Sequence, residues 1–162
     1  MIRLVNSACI ESSMEAVWRA LSNLENVTLW AEPILEAYCS GETKRGVGAV
    51  RVCKLKGNMT IKEKWITWDE GHSFSYVGDG MPLIKSAKNT WSIKNENGKT
   101  LLVSEAEIEF KGGLFGKLLE FMMASAMRRM GPPTLAAFKY WVEHGRPFEG
   151  KHSSLPIAPV TC

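Results

Sequence analysis

Arg51 and Glu63 are charged side chains whose neighbours turn them toward an interior. Side chains alternate along a strand. Over 47–55 one parity reads Val47, Ala49, Arg51, Cys53, Leu55. Over 59–69 the matching parity reads Met59, Ile61, Glu63, Trp65, with Lys62 and Lys64 opposite. A buried charge is costly unless partnered, so Arg51 and Glu63 are expected to join. Such a pair either orients the sheet as a fixed ion pair or presents polar groups to a ligand in an apolar cavity. Tyr76, Phe74 and His72 share the inward parity of 72–78. The candidate catalytic residues are therefore Glu63, Arg51, Tyr76 and His72.

Catalysis needs convergent acid–base groups with a nucleophile or metal. No Ser or Cys stands in a recognisable nucleophile context. His72, His144 and His152 lie far apart in the chain, and the last two are expected at the surface. Cys9, Cys39, Cys53 and Cys162 show no metal-type spacing. We expect free thiols in a reducing cytosol, no metal and no cofactor.

The element that must face these groups is a helix over 114–144, announced by Gly112 and Gly113. Phe115, Leu118, Leu119, Met122, Met123, Ala126, Met127, Met130, Leu135, Phe138, Trp141 and Val142 recur at helical spacing, which predicts a broad amphipathic helix with a large apolar partner. Its methionines suit ordinary core packing or a soft wall around a ligand. Gly131-Pro132-Pro133 predicts a kink or two collinear segments.

A chain of 162 residues, 45% hydrophobic and 23% charged, is expected to form one domain, 1–145, followed by a flexible tail, 146–162. The formal charge of +3 is mild and its cations are spread along the chain, which weakens a nucleic-acid or acidic-membrane reading. Lys62-Glu63-Lys64-Trp65 mixes base and aromatic, but alternation sends its lysines and its tryptophan to opposite faces, so it is not a nucleic-acid platform. No secretory leader and no membrane span is read, and a cytoplasmic protein is expected.

Residues 3–10 read as a strand. Ser12 with Glu15 reads as a capping box that starts a first helix. A second short helix spans about 24–31 and stops before Pro33. Strands follow at about 34–42, 47–55, 59–69, 72–78, 85–95 and 100–110. Their short turns permit antiparallel pairing and leave no room for crossover helices. The fold class is therefore α+β, one curved antiparallel sheet wrapped round the last helix. On 100–110 the inward parity is Leu102, Ser104, Ala106, Ile108, Phe110. On 85–95 either Ala87, Asn89, Trp91 and Ile93 or Ser86, Lys88, Thr90 and Ser92 face in, and parity alone leaves this open.

Several local patterns, in this order, resemble the helix-grip superfamily of START domains, birch-pollen-allergen-like proteins and polyketide cyclases (SRPBCC). They are Val17-Trp18, Trp30 before Pro33, Gly46-Val47-Gly48-Ala49-Val50-Arg51, Glu63-Lys64-Trp65 leading to Trp68-Asp69, Ser75-Tyr76, Thr90-Trp91 and the glycines before the last helix. The resemblance covers about residues 3–144. It implies a seven-stranded antiparallel sheet gripping the C-terminal helix, with a ligand cavity between them. By likeness to the plant abscisic-acid receptors, Leu55-Lys56-Gly57-Asn58 and Gly78-Asp79-Gly80-Met81-Pro82-Leu83 would be mobile loops at its mouth. Glu63 would then stand where those receptors hold a polar ligand contact. The gate loop lacks their proline, so a hormone-receptor role does not follow.

The expected lining comprises Arg51, Cys53, Leu55, Met59, Ile61, Glu63, Trp65, Phe74, Tyr76, Met81, Leu83, Trp91 and Ser104 from the sheet and its loops. From the helix it takes Leu119, Met122, Met123, Ala126, Met127 and Met130. The leading reading is a binding protein for a small hydrophobic or amphipathic molecule (a lipid, isoprenoid or aromatic polyketide). A polyketide cyclase or dehydratase is the alternative, and a ligand-dependent regulator acting through the mouth loops is a third. The expected partners are the small molecule alone, with no nucleic acid and no integral membrane association, in a monomer or weak homodimer.

Overall fold

The computed structural model describes residues 1–162. The strands are β1 (Ile2–Ile10), β2 (Ile34–Ser40), β3 (Val50–Leu55), β4 (Met59–Asp69), β5 (Ser73–Asp79), β6 (Ile84–Glu96) and β7 (Lys99–Phe110). The helices are α1 (Met14–Ser22) and α2 (Leu114–His144), with short 3₁₀ turns at Leu24–Leu29 and His152–Ser154. All strand pairs are antiparallel, in the order β1-β7-β6-β5-β4-β3-β2. Six strands form a meander, joined by turns of two to four residues except for the longer connection 41–49 between β2 and β3, and β1 closes onto β7 from the far end of the chain.

Local chemistry explains where the elements depart from expectation. Ser13, not Ser12, caps α1, accepting from the Ala16 amide at 3.2 Å. The Ser12 carbonyl is instead held by Thr100 Oγ1 at 2.8 Å, and Glu15 pairs with Arg19 rather than reaching back to the cap. The second short helix is a 3₁₀ turn, too short to propagate α-type bonds. Val47 is exposed because β3 starts only at Val50, after Gly46 and Gly48 take positive φ. A register shift between Trp65 and Thr67 turns Trp68 onto the face of Phe74, stacked at 5.3 Å. On β6 the inward set is Ala87, Asn89, Trp91 and Ile93: Ala87, Trp91 and Ile93 are buried and pair with Ile108, Ser104 and Leu102.

α2 is one helix through Pro132 and Pro133. It runs alongside β1 in the same direction, as three contacts show. Glu120 binds the Met1 amine at 2.6 Å, and the Cβ that Gly131 lacks would fall 2.4 Å from the Asn6 side chain. Lys139 Nζ donates to the Cys9 carbonyl at 2.9 Å. Its second half carries the core, with Leu135, Ala136, Ala137 and Phe138 buried. Its first half does not: Phe115, Leu118 and Met122, expected on the packed side, are exposed.

Residues 146–162 are laid on the body of the fold rather than free. The Cys9 amide donates to the Pro159 carbonyl at 2.6 Å, Ser7 Oγ donates to the Val160 carbonyl at 2.8 Å, and Ala158 and His152 are buried. Apolar Leu155 and Ala158 supply the packing that a proline-rich composition concealed. Cys162 forms a disulfide with Cys9, so two of the four thiols are not free. Cys39 and Cys53 are free and buried.

Thiol titration checks the pairing. Protein equilibrated with oxidised glutathione and then unfolded without reductant should show the two free thiols of Cys39 and Cys53, and four after reduction. Four before reduction would contradict it.

Candidate functional site

The inward face of the sheet carries two polar groupings with different surroundings. The first is the predicted pair. Arg51 and Glu63 are directly opposite on β3 and β4. Arg51 donates from Nε and Nη2 to one Glu63 oxygen, both at 2.7 Å, and from Nη1 to the Leu24 carbonyl at 2.7 Å. The guanidinium also lies 5.0 Å from the Trp65 ring and 5.7 Å from Tyr76. Cys53 Sγ donates to the same carboxylate oxygen at 3.4 Å. Both charges are buried. Burial works against the Arg51 cation, but Glu63 first, with Tyr76 and Cys53, keeps its pKa above the usual value. Burial and then Glu63 push the Cys53 thiol up to about 12, and the same two causes raise the Tyr76 phenol. These groups keep their protons near neutral pH.

Met81 seals this end. Gly78 stands between Glu63 and Ala87 in the register, and a Cβ there would meet the Met81 terminal methyl at 3.3 Å. The loop carrying Met81 is itself pressed on β4: a Cβ on Gly80 would fall 2.6 Å from the Thr60 carbonyl, so that position with positive φ needs glycine. The turn after Leu55 and the Gly80–Leu83 loop therefore share one rim, with Leu83 exposed upon it. His72 lies outside, its ring exposed beside Asp69 in the β4–β5 turn. Proximity to the turn overrode strand parity there.

The second grouping lies under α2. A groove of about 280 Å³ opens between α2 and strands β1, β7 and β6. Its floor is two cross-strand rows, Asn6–Ser104–Trp91 and Leu4–Ala106–Asn89, with Ile108 beyond them. Its roof is Met127, Met130, Gly131, Thr134 and Leu135. Behind the floor, Trp91 packs on Trp30 at 5.5 Å, and Trp30 packs on Phe138 of α2 at 5.2 Å. Glycine at 131 matters because any side chain there would strike Asn6.

Of the expected lining, Trp91, Ser104, Met127 and Met130 meet in this groove. Arg51, Cys53, Ile61, Glu63, Trp65, Phe74 and Tyr76 are buried in the filled part of the sheet's concave side, with Leu55 and Met59 half-buried at its rim. Leu119 is half-buried nearer the start of α2, and Met122, Met123 and Ala126 are exposed. The residues that parity did not bring forward are Asn6, Asn89 and Leu4. Asn89 lay in the unresolved alternation of β6, and β1 reaches β7 only through a contact about a hundred residues apart in sequence.

Residues 1–143 match the family described as polyketide cyclase / dehydrase and lipid transport. The chain belongs to that family. Among solved structures, a Thermobifida fusca protein is 17% identical, with a TM-score of 0.67 over 88% of this chain and 96% of its own. A START superfamily protein from Mycobacterium smegmatis is 15% identical, with a TM-score of 0.57 over 80% and 94%. Ara h 8.0201 is 10% identical, with a TM-score of 0.61 over 88% and 98%. These likenesses establish the helix-grip fold. No curated protein matches the sequence. No helix of this family member is long and apolar enough to cross a membrane.

A wider cleft of about 620 Å³ lies outside the grip, against α1 and the β2–β3 connection. Its walls are mainly charged, and its charges are already engaged: Arg19 with Glu15, Arg45 with Glu70, and Lys44 with the Cys39 carbonyl. A wet, self-neutralised surface of this kind offers little to an apolar ligand.

Removing one member of the buried pair should be costly. Arg51→Met or Glu63→Gln alone should lose about 3–5 kcal/mol in urea unfolding, and Arg51→Met with Glu63→Met should recover much of that loss. Cys53 adds a pH dependence. Its folded pKa is raised, so its contribution is complete below the unfolded value of about 8.5. That contribution is lost as pH climbs toward about 12. Wild-type stability should therefore fall relative to Cys53→Ala across that alkaline window, and parallel curves would contradict this.

Proposed function

We propose that this protein binds a small, mainly apolar molecule in the groove beneath α2, with Asn6, Asn89 and Ser104 fixing its polar end. The observation that carries this reading is the open, largely apolar groove with three uncharged polar side chains spaced across β1, β7 and β6. Amides and a hydroxyl orient a carbonyl or hydroxyl of a ligand without fixing its charge. The methionines above can repack around different shapes. At about 280 Å³ the groove is near the lower limit of ligand sites, so it suits a single ring system or one end of an acyl or isoprenoid chain. The family's description, which couples cyclase and dehydrase activity with lipid transport, supports the same ligand class.

Binding is favoured over cyclase chemistry by the nature of the groove's polar groups. Asn6, Asn89, Ser104 and Thr134 do not exchange protons near neutral pH. The titrating candidates, Arg51, Glu63 and Tyr76, are buried in the filled part of the fold. The setting depends on redox state: a cytoplasmic protein would carry Cys9 and Cys162 reduced, and an oxidising compartment would keep them joined.

cis-Parinaric acid tests the groove. Binding should quench tryptophan emission by energy transfer. Ala106→Trp, which fills the floor, should weaken binding at least roughly tenfold while leaving the unfolding transition intact. Unchanged binding in a folded Ala106→Trp protein would place the ligand elsewhere.

A further inference from the structure

The first half of α2 is apolar on two opposite faces. At 3.6 residues per turn, Gly116 and Met127 point toward the sheet, and Leu114, Phe115, Leu118, Phe121 and Met122 point away from it. The outward residues are exposed to 85%, 62%, 55%, 83% and 65%. Leu83 extends the patch: it is exposed, and its carbonyl accepts from the Lys111 amide at 3.0 Å just before the helix begins. A helix apolar all round is ordinarily covered on both sides, and water is a poor neighbour for two phenylalanines and two leucines in adjacent turns.

Charge indicates what covers it. Residues 111–130 carry Lys111, Lys117, Arg128 and Arg129 against one anion, Glu120, a surplus of three. That is the whole formal charge of +3, and the rest of the chain holds sixteen cations and sixteen anions. The other cations and anions cancel only in sum, and the cationic run over 44–64 is largely met by ion pairs with Glu32, Glu36, Glu63 and Glu70. Glu120 is itself bound to the Met1 amine at 2.6 Å, so it offers little to neutralise its neighbours. The four cations are exposed and flank the apolar stripe. An apolar stripe bordered by lysine and arginine is the pattern of a helix lying in the interface of an anionic bilayer, ring and alkyl groups among the acyl chains and cations at the phosphates.

We propose that the first half of α2, with Leu83, docks this protein peripherally on anionic lipid surfaces. The proposal stands on the exposure and charge of α2 and is independent of what occupies the groove. Met127 and Met130, which roof that groove, belong to the same half of the helix.

Flotation with vesicles tests it. Wild type should partition onto phosphatidylglycerol-containing vesicles at least roughly tenfold more than onto phosphatidylcholine alone, and high salt should abolish the difference. Leu118→Asp with Phe121→Asp should reduce partition to background. Both sites are exposed, so the unfolding transition and parinarate binding should be unchanged. Lys117→Glu with Arg128→Glu and Arg129→Glu should remove the lipid preference. Equal partition onto both vesicles, or wild-type partition by the double aspartate variant, would overturn the proposal. So would a lack of vesicle binding together with a dimer in light scattering that Leu118→Asp with Phe121→Asp dissolves, since a second copy would then cover the face.

Discussion

The indole of Trp30 sets how far the terminal helix can close on the sheet. It stands edge to face with both Trp91 and Phe138, ring centres 5.5 and 5.2 Å away. On the α1 side of this wedge the concavity is filled by aromatic rings: Trp65, Phe74 and Tyr76 touch in sequence, and Trp18 joins them through Phe74. On the other side the helix brings down Met127, Met130, Thr134 and Leu135, with no aromatic ring among them. The groove is the remainder of a gap that tryptophan props open.

The buried ion pair belongs to the filled side. It joins β3 to β4 and, through the Leu24 carbonyl, ties the 3₁₀ turn that carries Trp30 toward the sheet. A guanidinium is well suited to this role, because its planar fork serves a carboxylate, a carbonyl and two ring faces at once. It thereby holds the turn from which the wedge projects.

Much of this was legible in the sequence. The bounds of α2 follow from the glycines before it and from continuous helical spacing. The strands follow from turn residues, and the joining of Arg51 to Glu63 follows from parity and the cost of a lone buried charge. What escaped has physical reasons. The register shift after Trp65 is a backbone event with no fixed side-chain signature. The partnership of β1 with β7 closes across most of the chain, where local pattern carries no information. The packing of the tail rests on two apolar residues and a disulfide among prolines. The helix misled for a different reason. Treating Phe115, Leu118 and Met122 as partners of Met127 merged two faces, and Leu114 and Phe121, left out of the stripe, were the sign that a second face existed.

The break at Gly131-Pro132-Pro133 separates those two environments. Past it, leucine, alanine and phenylalanine are buried against the sheet; before it, most side chains meet solvent. Two adjacent prolines withdraw the amides that would have bonded the Arg128 and Arg129 carbonyls, so the helix is weakest where its surroundings change. Glycine at the same point brings the helix closest to β1, at Asn6. The C-terminal half is thereby fixed by packing. The N-terminal half is held by fewer attachments: the close pass of Gly116 over the end of β7, the Glu120 bond to Met1, and the inward methionines. Local stability follows the density of such contacts. One continuous helix thus joins a rigid half that completes the core to a lightly held half whose Met127 and Met130 cover part of the groove.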